Sequence, residues 1–390
     1  MTTIKLGEIC DFLNGGAWSD KEYVLTGLPV LKVTNCKPSG FALSDIDYLP
    51  YSAAEKYAKN KLEIGDVIIA TVGSHPNLKD SAAGRSCVVN SMVEGYYLNQ
   101  NAVCLRSKDN SILDQGYLGY LSKYYEFQHF IQMRGRGAAN QMRIAISSIK
   151  DYDCQLPKIE SQRRIASILS AYDDLIENNQ KQIKLLEEAA QRLYKEWFVD
   201  LHFPGYENVK VVDGVPEGWH YGTLDEIAIF KRGKAITKAN VVEGSVPVVA
   251  GGLEPAYYHN TSNTKAPVIT VSGSGANAGF SRLYRVDVFA SDCSFADVGS
   301  SAYIYFVYCF LKANKSQLDA LQKGSAQPHV YAKDINALQL NVPTQELLKQ
   351  YCDGVNAMFS KIRNIEKQIK LLQQARDRLL PKLMSGELEV

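Results

Sequence analysis

The chain lacks the sequence signs of a metal site, a disulfide framework, a secretion signal and a membrane span. Its eight cysteines are scattered, and none shows the CxxC or CxH spacing of zinc sites. The first residues do not combine a basic start with an apolar core. The longest apolar stretch, residues 302–311, has half the length that a membrane span needs. We therefore expect a cytoplasmic protein that binds no metal.

Sequence motifs of common catalytic sites are also missing. Residues 232–234 (Arg-Gly-Lys) lack the upstream glycine and the spacing of a phosphate-binding G-x-x-x-x-G-K-[ST] loop. We find no methyltransferase-type cofactor loop and no NPPY-like tetrapeptide, and the six histidines show no HExxH or paired spacing. The sequence predicts a chain without catalytic activity and without a cofactor of its own.

The overall charge is almost balanced. Lys plus Arg number 43 and Asp plus Glu 42, which gives a formal net charge of +1. A general binder of polyanions would be strongly basic, so composition argues against that class. It does not exclude a protein that reads specific DNA, because basic residues can cluster on one face. The length of 390 residues and the apolar fraction of 46% indicate two or three folded domains.

An internal repeat organises the chain. Residues 181–186 (KQIKLL) recur letter for letter as residues 367–372, at an offset of 186. A second similarity, at an offset of 218, relates residues 6–9 (LGEI) to residues 224–227 (LDEI). One pattern of a globular domain followed by a helix is therefore used twice. One half-pattern used twice, with a variable globular part, is what a reader of two sites would look like. We therefore predict a first target-recognition domain at 1–157, a first spacer helix at 158–204, a second target-recognition domain at 205–343 and a second spacer helix at 344–390.

Both predicted helices carry apolar residues at heptad spacing, the pattern of a coiled-coil seam. The alternative is a pair of ordinary amphipathic helices, each packed on its own domain. The pattern lasts four to five heptads, longer than the usual globular helix, and this favours the coiled coil. The predicted seam consists of Ile165, Leu169, Tyr172, Ile176, Ile183, Leu186, Leu193, Val355, Ile362, Ile369, Leu372 and Leu379.

The second helix can bury its seam against the first only by running antiparallel to it. That arrangement predicts an α+β fold with two strand-rich recognition domains, related by a pseudo-two-fold axis and separated by an antiparallel coiled coil. A helix from Ile165 to Trp197 spans about 50 Å. Two DNA half-sites lie roughly 34–36 Å apart for each turn of the double helix. Helices of this length would therefore set the distance between two half-sites.

Short apolar runs broken by turn residues predict strands in both domains, with short helices between them. The predicted strands lie at 65–73, 96–105, 266–271 and 285–290, and the predicted helices at 52–59, 113–134 and 303–323.

Several loops carry side chains suited to DNA. Arginine pairs with phosphate or guanine, Asn and Gln can read adenine, and glycine lets the backbone approach a polyanion. The alternative is a set of solvated hairpin loops, since Gly, Asn and Ser are common in turns. Candidates in the first domain are Arg85, Arg134, Arg136, Asn140, Gln141 and Arg143. Candidates in the second are Lys231, Arg232, Lys234, Lys238, Tyr258, His259, Ser274, Asn277, Lys323, Gln327 and His329.

Three helical segments, 156–169, 193–205 and 379–388, resemble the shared regions of specificity subunits of type I restriction–modification systems. The resemblance covers essentially the whole chain, although residues 342–350 are a looser version of the pattern at 157–164. It implies a non-catalytic subunit that reads an asymmetric, bipartite double-stranded DNA target, with one half-site for each domain. Two methyltransferase subunits and motor-nuclease subunits would be its partners, and S-adenosylmethionine, ATP and Mg would bind to them.

The sequence is also compatible with two other functions. A fused restriction enzyme or methyltransferase would need the cofactor and nucleotide loops that the sequence lacks. A coiled-coil scaffold that binds only proteins would show neither sequence preference nor salt-dependent affinity for DNA.

Overall fold

The computed structural model describes residues 2–37, 40–43, 46–74, 83–138, 141–324 and 328–390. The chain divides into two compact units. Unit 1 comprises Met1–Glu177 and Lys370–Val390, and unit 2 comprises Asn178–Ile369. Each unit therefore combines one globular domain with a stretch of each long helix. Among the described residues, no helix has both the length and the apolar character to cross a membrane.

The first globular domain is built from short strands with a few short helices. Its strands are β1 (Thr2–Lys5), β2 (Cys10–Asn14), β3 (Leu28–Leu31), β4 (Cys36–Lys37), β5 (Gly40–Phe41), β6 (Tyr48–Leu49), β7 (Val67–Ala70), β8 (Val72–Gly73), β9 (Ser86–Val88), β10 (Tyr97–Leu98), β11 (Ala102–Ser107), β12 (Arg136–Ala138), β13 (Gln141–Arg143) and β14 (Asp153–Leu156). Its helices are α1 (Leu6–Ile9), α2 (Gln115–Leu121), α3 (Tyr125–Gln132) and α4 (Ile146–Lys150). The long helix α5 (Ile159–Phe198) follows.

The second domain has the same mixture of elements. Its strands are β15 (Val211–Val212), β16 (Val215–Pro216), β17 (His220–Thr223), β18 (Lys231–Arg232), β19 (Val246–Val249), β20 (Tyr257–His259), β21 (Val268–Ser272), β22 (Ser281–Tyr284), β23 (Phe289–Ala290), β24 (Cys293–Asp297) and β25 (Gln339–Val342). Its helices are α6 (Ile304–Ala313), α7 (Lys315–Ala320) and α8 (Ala332–Asn336), and the long helix α9 (Gln345–Ser385) comes last.

The strand pairings confirm the internal repeat. The central sheets have the orders β2-β11-β7-β9 and β18-β24-β21-β22. The last strand of each domain pairs with a strand near its beginning, since β14 pairs with β1 and β25 with β17. The register is the same in both, because Thr2 faces Leu156 as His220 faces Val342. His220 stands 218 residues after Thr2, and Val342 stands 186 residues after Leu156, which are the two offsets that the sequence shows.

Two glycines of the repeat stand where the backbone passes close to another strand. A Cβ atom on Gly15 would lie 1.9 Å from the carbonyl oxygen of Asn99. At Gly233 the same atom would lie 2.3 Å from the carbonyl oxygen of Ser291. No larger residue fits at either place without a backbone shift. Glycine therefore recurs at these two positions because the backbone packing requires it.

The long helices pair with each other within each unit. In unit 2 the Tyr351 hydroxyl on α9 donates to the carbonyl of Ala190 on α5 at 3.0 Å. In unit 1 the end of α9 packs with the beginning of α5 instead, where Arg376 pairs with Asp173. The beginning of each helix thus meets the end of the other, as the predicted antiparallel pairing requires.

Several of the seam residues also belong to the domain cores. None of the predicted seam residues is exposed. Ile165 and Leu169 lie in the main core of unit 1, and Val355 and Ile362 in that of unit 2. The helices therefore pack on each other and on their own domains, so the two interpretations of the heptad pattern both describe part of the structure.

Three predicted short helices differ from the structure. In place of a helix at 52–59 the structure has two separate 3-10 turns, Tyr51–Ala53 and Ala58–Asn60, and Tyr57 between them departs from helical angles (φ −112°, ψ 19°). The predicted helix at 113–134 divides into α2 and α3, because the Ser122 hydroxyl donates to the Gly119 carbonyl and competes with the helical hydrogen bonds. The predicted helix at 303–323 divides into α6 and α7 at Asn314, whose amide donates to the Phe310 carbonyl.

Candidate nucleic-acid interface

A pair of arginines faces solvent on a small sheet of unit 1. The sheet has the order β12-β13-β8, and its register places Arg136 directly opposite Arg143. Both side chains are exposed. Like charges directly opposite each other on neighbouring strands destabilise a sheet. An anion bound between the two guanidinium groups would remove that repulsion.

The arginine pair lines an open cleft of about 690 Å³, which we call cleft 1. Arg134 also lines it, and its guanidinium lies 3.5 Å from the centre of the Phe130 ring and donates to the Phe130 carbonyl. Since a guanidinium has five N–H donors, Arg134 is anchored and can still bind a ligand. No described residue of the lining is acidic, and its uncharged polar members are Thr71, Gln100, Asn101, Ser147 and Ser148.

The other predicted residues of the first domain have different positions. Arg85 is half-buried and donates to the carbonyl of Cys36 at 2.7 Å, so part of its side chain anchors the backbone. Asn140 lies outside the described residues. Gln141 belongs to β13 by its backbone, and its side chain also lies outside the description. For these three residues a contact with DNA stays a prediction.

In unit 2, three of the predicted loops meet at one cleft of about 250 Å³, which we call cleft 2. Arg232, Ser274 and His329 line it, and Ser274 and His329 form a β-bridge. Unlike cleft 1, cleft 2 contains an acidic residue, Asp292, which accepts a hydrogen bond from the Ser274 hydroxyl at 2.5 Å. Burial raises the pKa of Cys293, another lining residue, to about 12, so this thiol is protonated at neutral pH.

The two clefts are equivalent positions of the repeat. His329 stands 186 residues after Arg143. In unit 1 the Ile144 N–H donates to the Thr71 carbonyl at 2.8 Å, and in unit 2 the Val330 N–H donates to the Gly273 carbonyl at 3.1 Å. The same backbone framework therefore supports a cleft in each unit, with different side chains in it.

Other predicted residues of the second domain do not line cleft 2. Lys231, Lys234 and Lys238 are exposed, Tyr258 is 49% exposed, and Asn277 is half-buried. Lys323 is paired with Asp334 at 2.8 Å, and its backbone forms a β-bridge with that of His329. Gln327 lies outside the described residues.

The prediction for His259 does not fit its position in the structure. The side chain is buried, its Nδ1 lies 3.0 Å from the Val242 backbone nitrogen, and its ring packs edge-on against Phe289. A ring held in this way cannot reach a ligand at the surface. Its sequence neighbourhood, residues 257–260 (Tyr-Tyr-His-Asn), does not reveal that the side chain points inward.

Part of the lining of cleft 1 is not among the residues that the sequence predicts. This part includes Gln100, Asn101, Ser147 and Ser148. The run Asn99-Gln-Asn101 between two strands was the available signal for the first two. For the serines the sequence has no distinctive pattern, because they enter the cleft only through the folding of α4.

Within the described residues, no group of three or more His, Cys, Asp or Glu side chains could hold a metal ion. All eight cysteines are buried and unpaired by disulfides.

Comparison with known proteins assigns the family. The family described as "Type I restriction modification DNA specificity domain" matches residues 1–188 and 216–374. The MjaIX specificity subunit of a type I restriction enzyme from Methanocaldococcus jannaschii is 29% identical over 307 residues, covering 70% of this chain and 69% of that protein. The putative MjaX specificity subunit of the same organism is 23% identical over 99% of this chain and 93% of that protein.

A solved structure shares the fold. The crystal structure of the S subunit of the type I restriction-modification system from M. genitalium aligns with a TM-score of 0.54, with 19% identity over 98% of this chain and 95% of that one. Because the family match covers most of the sequence, in both halves of the repeat, the chain belongs to the type I restriction modification DNA specificity family.

Proposed function

We propose that this chain is the DNA sequence-specificity subunit of a type I restriction-modification complex. It reads an asymmetric, bipartite target, with one half-site for each recognition domain, and positions methyltransferase and motor-nuclease subunits. The observation that carries the proposal is the arginine pair of cleft 1, Arg136 opposite Arg143, in a setting that favours a polyanion.

The chemistry of the clefts supports DNA as the ligand. Arginines that surround a cleft without a described acidic side chain suit phosphate and the O6 and N7 atoms of guanine. The amides of Gln100 and Asn101 are in reach of the same cleft and suit adenine. A scaffold that binds only proteins has no use for such a charge arrangement, so we do not favour it.

The difference between the clefts supports an asymmetric target. Cleft 1 offers arginines and amides, whereas cleft 2 offers Arg232, His329 and the carboxylate of Asp292. A carboxylate accepts hydrogen bonds from the amino group of cytosine, which an arginine cannot do. Two equivalent frameworks with different side chains would thus read different bases.

We also propose that this chain has no catalytic role and acts in the cytoplasm, where its DNA target would be. S-adenosylmethionine, ATP and Mg would then bind to the partner subunits. Two half-site contacts made by one chain strengthen each other only when both half-sites are correctly spaced. DNA that carries one half-site alone would therefore bind weakly.

The test is co-expression with the modification subunit in a methylation-free host, followed by modification-sensitive genome sequencing. We expect a split motif with an unspecified centre that disappears when this chain is omitted. In a variant with Arg136→Gln and Arg143→Gln, methylation of that motif should weaken. An intact complex that adds no new methylation would refute the proposal, and a continuous motif would refute its bipartite form.

A further inference from the structure

Cleft 2 of unit 2 contains two opposite charges that do not pair with each other. Arg232 and Asp292 are both exposed and both line this cleft of about 250 Å³. The Asp292 carboxylate accepts a hydrogen bond from the Ser274 hydroxyl, and within the part of the chain that the structure describes no ion pair joins it to Arg232. A guanidinium only donates hydrogen bonds and a carboxylate only accepts them. The cleft therefore offers donors and an acceptor to one ligand at the same time.

Backbone hydrogen bonds fix the position of Asp292. The Gly273 N–H donates to the Asp292 carbonyl at 3.3 Å, and the Gly275 N–H donates to the Pro328 carbonyl at 3.1 Å. The Val330 N–H donates to the Gly273 carbonyl at 3.1 Å. These bonds join the loops around the cleft to one another. The carboxylate is thus held in place before a ligand arrives, which lowers the entropy cost of binding.

Strand pairing fixes the position of Arg232. This residue lies on β18, directly opposite Ser294 of β24, the strand that begins just after Asp292. The next residue, Gly233, donates its N–H to the Cys293 carbonyl at 2.8 Å. Both charged side chains therefore extend from backbone that belongs to one hydrogen-bonded sheet or adjoins it, and such rigid elements can place polar groups with precision.

The carboxylate of Asp292 separates the bases of DNA from its phosphates. Phosphates repel this group, so it opposes binding wherever it meets the DNA backbone alone. It accepts a hydrogen bond from the N4 amino group of cytosine, whereas the O4 atom of thymine is itself an acceptor and repels it. Arginine pairs with O6 and N7 of guanine, the base opposite cytosine. In the major groove a G·C pair thus presents acceptors for Arg232 and a donor for Asp292.

We propose that cleft 2 reads one G·C base pair of the half-site that belongs to unit 2, with Arg232 on the guanine and Asp292 on the cytosine. Asp292 determines the specificity at this position, because it excludes thymine. This assignment rests on the proposed function, since it requires a double-stranded DNA target.

The first test replaces Asp292 by asparagine in the complex with the modification subunit. An amide can accept from cytosine or donate to thymine, so Asp292→Asn loses the discrimination. We expect one G·C position of the methylated motif to accept A·T as well, while the other half-site stays the same. In titrations of target DNA, the preference for G·C over A·T at this position should fall about tenfold, within the usual effect of one base pair.

The matched control is Asp213→Asn, the same change of charge on the exposed turn between β15 and β16, which does not line cleft 2. Its motif should equal that of the unaltered chain. An unchanged motif for Asp292→Asn as well would overturn the proposal.

The affinity for DNA without the motif separates base reading from a structural role of Asp292. If the carboxylate reads a base, its removal leaves this affinity unchanged or raises it, because a repulsion with phosphates is lost. If the carboxylate only braces Ser274, its removal weakens binding to all DNA sequences alike. A uniform loss of affinity with an intact preference for G·C would therefore contradict the assignment.

A modified base tests Arg232. 7-Deazaguanine at the identified position lacks the N7 acceptor, so it should weaken binding by the unaltered chain about tenfold. The same base should have little effect on a complex that carries Arg232→Ala, because that contact is already absent. Equal losses for the two complexes would show that Arg232 does not contact this guanine, and the assignment would be wrong.

The outcomes distinguish this proposal from the proposed function. If the complex with the unaltered chain adds no methylation and has no sequence preference, the proposed function is wrong and the reading by cleft 2 is wrong with it. If a split motif is found but no G·C position in it responds to Asp292→Asn, the proposed function stands and only the reading by cleft 2 is refuted.

Discussion

Asp173 on α5 accepts a hydrogen bond from Arg376 on α9 at 2.5 Å, within unit 1. The Tyr120 hydroxyl of the recognition domain donates to the same carboxylate at 2.8 Å. Both members of the ion pair are more than half-buried, since their side chains are 32% and 23% exposed. One carboxylate therefore joins both long helices to the domain beside them.

Replacing Arg376 by alanine should lower the free energy of unfolding by about 2 kcal/mol, since it removes a charged hydrogen bond from a partly buried acceptor. Urea denaturation of the purified chain measures the change. Arg378→Ala, on the exposed side of the same helix, should cost less than about 0.5 kcal/mol. Equal losses for the two variants would show that the ion pair with Asp173 contributes nothing specific.

The arginine pair of cleft 1 predicts a change in the salt dependence of DNA binding. Replacing Arg136 and Arg143 by glutamine removes two positive charges. If both contact phosphate, the slope of log K against log salt concentration should decrease in magnitude by about 1.8, since each phosphate contact contributes about 0.9. Titration of target DNA at several salt concentrations measures the slope.

The matched control for this change is Arg164→Gln, an exposed arginine on α5 that does not line cleft 1. Its slope should equal that of the unaltered chain. A normal slope for the double variant would place the DNA elsewhere on unit 1.

Replacing glycine by alanine should stabilise the chain at one position and destabilise it at two others. Gly15→Ala and Gly233→Ala place a methyl group against a carbonyl oxygen, so each should destabilise the chain by about 2 kcal/mol or more. Gly354 lies within α9, and its added Cβ would meet nothing within 4 Å. Gly354→Ala should therefore stabilise the chain by about 1 kcal/mol through helix propensity. Thermal unfolding of the three variants gives the comparison, and a gain at Gly15 or Gly233 would refute the predicted close contact.

The repeat can be predicted from the sequence because equivalent residues of the two halves recur at fixed offsets. The offsets of 218 and 186 anticipate the matched registers of β1 with β14 and of β17 with β25. The heptad pattern likewise anticipates α5 and α9, since apolar periodicity follows helix geometry directly.

Contacts between residues that are distant in the sequence produce no such pattern, so they cannot be predicted in this way. The sequence predicts a strand over 285–290, but only Phe289–Ala290 forms one. Arg285 instead turns inward and binds Glu187 on α5 and Glu366 on α9, each at 2.7 Å. The convergence of Arg232, Ser274 and His329 at cleft 2 is of the same kind, because only the folded backbone brings those loops together.

The stability of the second domain should respond to acid through Asp287. The hydrogen bond from the Ala266 N–H, and then Lys265, lower the pKa of this carboxyl. A depressed folded-state pKa gives stability that is fully present above the ordinary carboxyl pKa of about 4 and is lost as the pH falls through the folded value. Asp287→Asn should therefore lower the unfolding temperature at pH 7, and the difference should shrink below about pH 4. Asp353→Asn, on the exposed face of α9, serves as the control. A difference that is independent of pH would contradict the prediction.

The buried thiols should react slowly. Burial raises the pKa of Cys352 to about 11 and that of Cys10 to about 12. Since the thiolate is the reactive form, only a small fraction of the molecules is reactive at pH 8 at either position. A thiol-specific chromogenic reagent should react much more slowly with these two residues in the native chain than after unfolding in guanidinium, when all eight cysteines become available. Rapid labelling of Cys10 or Cys352 in the native chain would contradict their burial.

The pairing of β1 with β14 and of β17 with β25 has a consequence for how such proteins can change. Since β1 meets β14, and β17 meets β25, the chain enters and leaves each domain at neighbouring points beside a long helix. Insertions or deletions in the loops between those strands alter the domain without shifting the heptads of α5 or α9. Variation can therefore accumulate in the loops while the helical framework keeps its register.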